Sequence, residues 1–275
     1  MKKWTTAKIR AAKGKEKLAC LTAYDFTLAR IADASEIPLI LVGDSLGMTT
    51  LGYANTLPVT MRDMLHHTAA VARGTKNALV VADMPFLSYQ VSIAEAIRNA
   101  GRFLQEAGAD AVKIEGGAIR RECIEALTGN GIPVLGHIGL LPQSVNQLGG
   151  FKVQGKSREA AEVLISDAKT LTQAGVFAIV LECVPPDIAA LVTAAAAVPV
   201  IGIGSGPACD GQVLVMNDIL GLSGDTPPKF VRQYAQLHSV IQNAFASYRD
   251  DVNHGNYPTT EHSYATIRPA CSQPE

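Results

Sequence analysis

EAGADAVKIE (residues 106–115) and QAGVFAIVLE (residues 173–182) share one grammar. In each, a stretch of helical period ends in Ala-Gly, and a nearly all-apolar run follows that stops at a glutamate. Glycine takes the left-handed conformation without steric penalty, which suits it to the position just past a helix. The run that follows does not alternate with polar residues, the pattern of a parallel strand covered on both faces. A helix that feeds directly into such a strand is half of a βα repeat.

Working outward, the same kind of run recurs along the chain. Strands are predicted over residues 18–22, 39–42, 79–82, 111–114, 134–137, 178–181, 200–203 and 212–215. Helices are predicted between them, over 25–34, 61–73, 92–107, 119–127, 157–174 and 187–197. Eight strands, mostly separated by helices, point to an α/β fold, a closed (β/α)8 TIM barrel. Residues 204–211 are too short for a full helical crossover, so a single helical turn is predicted there. Residues 230–252 read as a long final helix. The whole chain, 1–275, reads as one domain, with an N-terminal extension to about residue 16 and a polar tail from about residue 253.

Composition excludes several classes. Hydrophobic residues make up 48% and charged residues 18%, so the chain can bury a large core and is not a disordered, solvating polymer. Lys plus Arg is 24 and Asp plus Glu is 25, a net charge of -1, which gives no bulk attraction to nucleic acid or an anionic membrane. The cysteines, Cys20, Cys123, Cys183, Cys209 and Cys271, are scattered without a CxxC pair, against both a disulfide framework and a structural zinc site. Residues 188–204 are apolar, but Pro199 divides them into a helical half and a strand half rather than a membrane span. The N-terminal segment has a basic pair and no apolar core of a signal peptide. A soluble, cytoplasmic protein is expected.

In such barrels the active site lies at the carboxyl ends of the strands. There the sequence places Asp44 and Ser45 after the second run, Asp83 after the third, Lys113 and Glu115 on the fourth, His137 on the fifth and Glu182 on the sixth. Acids also end strands to cap turns, but six equivalent positions converge in a barrel. Asp44 and Asp83 are hard oxygen ligands without Cys or His beside them, the donor type for Mg2+. Lys113 and Glu115 are two apart on a strand and face one way, as a buried ion pair or as site residues. His137 alone reads equally as a core histidine. Glu182, between Leu181 and Cys183, is predicted in an apolar setting that raises a carboxylate's pKa and suits a general base. Gly202, Gly204 and Gly206 lack the spacing of a phosphate loop and read as a tight strand exit. Cys183 reads as inert core packing, and His66 and His67 as a helix surface.

These segments, together with others, carry a resemblance. TAYD (22–25), LVGDSLGM (41–48), LPVT (57–60), ADMPF (82–86), VKIEGG (112–117) and GHIGLLPQSVNQLGGFKVQG (136–155) are similar to the ketopantoate hydroxymethyltransferase (3-methyl-2-oxobutanoate hydroxymethyltransferase) family. LECVP (181–185), IGIGSG (201–206), DGQVLVMNDILG (210–221), PKF (228–230) and YPTTEHSY (257–264) extend it collinearly. The resemblance implies the first committed step of pantothenate synthesis. There 3-methyl-2-oxobutanoate and 5,10-methylenetetrahydrofolate give 2-dehydropantoate and tetrahydrofolate through an enolate stabilised by Mg2+. It also implies a barrel of the phosphoenolpyruvate/pyruvate type, one magnesium per subunit and a homodecamer. Carried over by motif, Asp44 and Asp83 hold the metal with Glu115 close by. Ser45 binds the substrate carboxylate beside Asp44, Lys113 and His137 face the substrate, and Glu182 is the proton acceptor. Ser205 stands where the family is expected to have alanine, and the tail past Tyr264 is longer than usual. Two rival readings remain at this point: a metal-dependent 2-oxo-acid lyase or mutase, and a barrel retained as a binding or assembly module. The first should carry a reactive loop cysteine in a recognisable motif, and the second should have lost strand-end residues.

Overall fold

Successive strand residues point to opposite faces, so one residue in two along each run must fill the inside of the barrel. The computed structural model, which describes residues 3–223 and 227–265, bears this out. The strands are β1 (Leu18–Thr22), β2 (Leu39–Val42), β3 (Leu79–Asp83), β4 (Ala111–Glu115), β5 (Val134–Gly139), β6 (Ala178–Glu182), β7 (Val200–Ile203) and β8 (Gly211–Leu214). They close in sequence order, all parallel, with Leu18 of β1 in register with Gly211 of β8. Each strand matches its predicted range to within two residues.

The helices are α1 (Thr6–Ala11), α2 (Phe26–Ala34), α3 (Leu46–Thr49), α4 (Met61–Gly74), α5 (Ile93–Gln105) and α6 (Arg121–Gly129). Then come α7 (Val145–Leu148), α8 (Arg158–Gln173), α9 (Pro186–Ala195), α10 (Met216–Ile219) and α11 (Leu237–Asn253). Their starts follow local capping chemistry. Asp25, Ser92 and Ser157 accept from a backbone N–H of the first turn of α2, α5 and α8, and Thr60 with Asp63 forms a capping box on α4. Gly108 and Gly175, the glycines of the two opening segments, take φ values of 74° and 94° and turn the chain into β4 and β6.

Two apolar layers result. Outward-facing residues such as Ile40, Val80, Val112, Ile114, Ile179 and Leu181 pack under the helices. Inward-facing Leu18, Cys20, Leu39, Leu41, Leu79, Val81, Ala111, Leu135, Val180 and Val213 fill the lumen. The predicted N-terminal extension closes the floor: Ile9 of α1, fully buried, joins the lumen cluster. Because the lumen is solid below, polar residues one step further along the same strand faces end up in the upper layer. Thr22, Asp83, Lys113, Glu115, His137 and Glu182 all continue inward-facing rows.

Two expectations are corrected and a third, the division of residues 188–204, is met. Residues 204–210 form turns without a helix, and the buried Cys209 packs against Gly202 in the place a helix would cover. The last helix begins at Leu237 rather than 230, because the preceding segment is held elsewhere. Phe230 lies against Gly204, and the N–H groups of Tyr234 and Leu237 donate to Ile219 and Leu220 carbonyls beyond β8. Residues 188–204 divide into α9 and β7, and no helix among the described residues is long and apolar enough to cross a membrane. Cys20, Cys123, Cys183 and Cys209 are free thiols, while Cys271 and the end of the predicted tail lie outside the described residues.

Candidate active site

All seven sequence-predicted site residues line one cavity of about 440 Å³ at the carboxyl ends of the strands. Asp44, Asp83, Lys113, Glu115 and His137 are each at most 5% exposed and form its floor. Glu182 faces them from β6, across the barrel from β2, with its side chain 16% exposed. Met48, Pro142, Phe151, Val215 and Phe230 make an apolar mouth.

The floor is a charge cluster. Lys113 Nζ lies 3.2 Å from Asp83 Oδ1, 3.8 Å from Glu115 Oε1 and 3.1 Å from His137 Nδ1. An ammonium only donates, so His137 Nδ1 accepts and the neutral ring carries its proton on Nε2, 3.2 Å from Glu182 Oε2. Burial and Lys113 push the His137 pKa down, but Glu115 and Glu182 push it up and prevail, leaving it above the ordinary histidine value. Burial also disfavours the Lys113 ammonium, yet Asp83, Glu115 and Asp44 together hold its pKa above normal, so it stays charged. Asp44 is driven well above the usual carboxylate range by burial and by Asp83 and Glu115. Asp83 is raised by burial against the pull of Lys113, whereas Glu115 is lowered because His137 and Lys113 outweigh its burial.

Four acids thus face one lysine and one histidine, and two buried oxygens, Asp83 Oδ1 and Glu115 Oε1, share the single Lys113 ammonium as an ion pair without an aligned hydrogen bond. An acidic surplus with unmet hard-oxygen acceptors fits a divalent cation. Among the described residues, no three His, Cys, Asp or Glu side chains already close into a ligand cage. The set fits an ion that keeps water or ligand oxygens for most of its shell, as Mg2+ does.

Several residues of the site escaped the sequence reading. Gln143, just past β5, is buried and donates through Nε2 to Asp44 Oδ2 and the Met84 carbonyl, each at 2.9 Å. Its backbone N–H donates to Glu115 Oε2 at 3.1 Å, and Tyr89 OH donates to its Oε1 at 2.8 Å. One residue, through its side-chain amide and its backbone N–H, therefore orients two carboxylates. Thr22 and Tyr24 also escaped; they form a row of hydroxyls with the predicted Ser45, each neighbouring pair 2.9 Å apart. Strand alternation would have placed Thr22 in the upper layer, but nothing local in the sequence marks Gln143.

The remaining motifs settle as follows. Leu181 and Cys183 do not give Glu182 the predicted apolar setting. Leu181 points outward by strand alternation, and Glu182 looks into the polar cavity toward His137. Cys183 is not core packing but lines the cavity at φ 50°, and burial and Glu182 push its thiol up to about 11, which keeps it protonated. Gly206 approaches Pro186 too closely for a Cβ, so the glycine run serves packing. Ser205 is fully buried behind the cavity, donating to the Leu181 carbonyl at 2.8 Å and accepting from Val184 N–H at 3.2 Å. His66 is exposed on α4, while the partly buried His67 bonds through Nδ1 to the Tyr24 carbonyl oxygen at 2.6 Å.

Solved structures of the same architecture include oxaloacetate acetylhydrolase in complex with oxalate, with a TM-score of 0.60, 14% identity, and 96% of this chain and 92% of that one covered. Another is 2,3-dimethylmalate lyase, described as a PEP mutase/isocitrate lyase superfamily member, at TM-score 0.59, 14% identity, and 93% and 92% coverage. Fold and site together define a closed (β/α)8 barrel with a charged, enzyme-like cavity at the carboxyl ends of its strands. The family model described as ketopantoate hydroxymethyltransferase matches residues 3–260. The 3-methyl-2-oxobutanoate hydroxymethyltransferase of Syntrophus aciditrophicus is 56% identical over 264 residues, 96% of this chain and 97% of that protein. The protein of the same name from Moorella thermoacetica is 55% identical over 249 residues, 90% and 93% of the two chains. The chain belongs to the ketopantoate hydroxymethyltransferase family.

Proposed function

We propose that this protein transfers a hydroxymethyl group from 5,10-methylenetetrahydrofolate to 3-methyl-2-oxobutanoate, with uptake of water, giving 2-dehydropantoate and tetrahydrofolate in pantothenate synthesis. The observation that carries this reading is the division of a single cavity into a charged floor, an opposed His137–Glu182 pair and an apolar mouth. Ser45 and Lys113 match the anionic groups of a small 2-oxo acid. Asp44 and Asp83, with Glu115 close by, would hold Mg2+, which supplies a Lewis acid beside the 2-oxo group. Glu182 takes the C3 proton, its Oε2 lying 3.2 Å from His137 Nε2 at the cavity floor. The Lys113 ammonium, buried and charged, stabilises the negative charge that develops as that proton leaves. The nucleophilic C3 then attacks the one-carbon unit carried by the folate, for which Met48, Phe151 and Phe230 offer an apolar approach.

The chain in this reading is one domain acting in the cytoplasm, and its free thiols suit a reducing compartment. It also self-associates, as a homodecamer. Helix α11 buries none of its own residues, and Phe245, Tyr248 and Val240 on it are exposed, which supports cover by another copy. A stable 29 kDa species in sedimentation would refute the assembly. The reaction is tested by incubating the protein with 3-methyl-2-oxobutanoate, with and without methylenetetrahydrofolate and Mg2+. 2-Dehydropantoate should form only when all are present, and no product under any condition refutes the function.

A further inference from the structure

We propose that Tyr24 is a positioning residue that forces Ser45 to act as a hydrogen-bond donor in the cavity, and so selects an anionic carboxylate at that point. This rests on the reading of Ser45 as the residue that meets the substrate carboxylate.

The direction of the hydroxyl row follows from its far end. The Met216 N–H can only donate, and it donates to Thr22 Oγ1 at 3.0 Å. Thr22 passes its own proton to the Tyr24 oxygen at 2.9 Å. Thr22 and Tyr24 are each 3% exposed, so the row is largely shielded from bulk solvent. The phenol, already accepting from Thr22, has one proton left to place; Thr49 also lies near it but gives its own proton to the Ser45 carbonyl at 3.2 Å, and the hydroxyl within close hydrogen-bond distance is Ser45 Oγ at 2.9 Å. A buried phenol that failed to donate there would carry an unmade hydrogen bond, which buried groups avoid. Ser45 Oγ is thereby an acceptor on its protein side, and its own proton must go to whatever fills the cavity.

Space for this arrangement comes from Gly43. A Cβ on that residue would lie 2.7 Å from Ser45 Oγ, so glycine leaves the hydroxyl room beside the cavity floor. An isolated serine could donate to one ligand and accept from another. A serine at the end of a polarised row favours a ligand oxygen with negative charge. Sites built to complete a hydrogen bond discriminate strongly against ligands that leave it unmade.

The experiment is calorimetric binding of 3-methyl-2-oxobutanoate and of its neutral carboxamide, in Mg2+-containing buffer. The proteins are the parent, Tyr24→Phe, Ser45→Ala and the double variant. Tyr24→Phe keeps the ring and removes only the relay, so affinity for the acid should fall about 5–10-fold and the preference for acid over amide should shrink. Ser45→Ala should lose at least as much, and the double variant should bind the acid no more weakly than Ser45→Ala. That non-additivity separates action through Ser45 from a structural effect of the tyrosine. Parent-like acid binding by Tyr24→Phe, with Ser45→Ala impaired, overturns the relay alone. So does a Tyr24→Phe loss that adds in full on top of Ser45→Ala. Parent-like binding by Ser45→Ala removes the underlying reading and the relay with it. If Tyr24→Phe does not fold, Thr22→Val breaks the row at its other hydroxyl and is scored by the same non-additivity.

Discussion

Replacing Lys113 by methionine keeps the length and apolar stem of the side chain and removes its charge from a site where it is 5% exposed. At an effective dielectric of about 20, its attraction to Asp83 at 3.2 Å and Glu115 at 3.8 Å is about 5 and about 4 kcal/mol. Desolvating the ammonium costs several kcal/mol, and removing one partner of such a buried set leaves acids uncompensated. The expected destabilisation is about 3–5 kcal/mol. The sign of its pH dependence follows from the carboxyls. Asp44 and Asp83 already sit above the ordinary range, and without Lys113 they rise further. A folded carboxyl with a raised pKa binds a proton that the unfolded chain has released, so stability falls as pH rises between the unfolded value near 3.9 and the folded one. The deficit of the variant should therefore be larger at pH 8 than at pH 5.5. The assay is guanidinium unfolding followed by circular dichroism, in EDTA, at both pH values. A deficit under about 1 kcal/mol at pH 8, or one that shrinks as pH rises, would refute the argument.

Three further outcomes are expected. Glu182→Gln should still bind the 2-oxo acid but slow C3 hydrogen–deuterium exchange about 10²–10⁴-fold by NMR, and parent-like exchange would make His137 the next candidate for the base. Asp83→Asn should weaken Mg2+ binding by at least the roughly 10–100-fold that losing a partner of a metal ligand costs, and full activity of the EDTA-dialysed parent would contradict a metal site there. Asp33 is 6% exposed and accepts from the N–H groups of Lys76, Asn77 and Ala78, which outweigh burial and lower its pKa. Asp33→Ala should cost about 2–4 kcal/mol by denaturant titration. Because the folded pKa is depressed, that contribution is complete above about pH 4 and is lost as pH falls through the folded value, so parent and variant should converge in acid.

Local periodicity made most of the fold legible. Glycines after helices, unbroken apolar runs and a two-residue alternation mark β1 to β8 because each is a property of a few neighbouring residues. The same alternation carries the site's main residues. Leu79, Val81 and Asp83 share a face, as do Ala111, Lys113 and Glu115, so a chain that fills the lumen with the first members must raise the last into the cavity. Where spacing was the sole guide, as at residues 204–211 and 230–236, the helix expectation failed. Those segments are held by contacts with Gly202, Gly204, Ile219 and Leu220 rather than by their own period. Tertiary structure alone decided how the charges are partnered. Gln143 reaches Asp44 across 99 residues of sequence, and the Met216 N–H that sets the hydroxyl row is 194 residues from Thr22. Hydrogen bonds of that kind depend on the closing of the barrel. No periodicity encodes them, because the groups become neighbours only when β8 pairs with β1 and the strand ends meet.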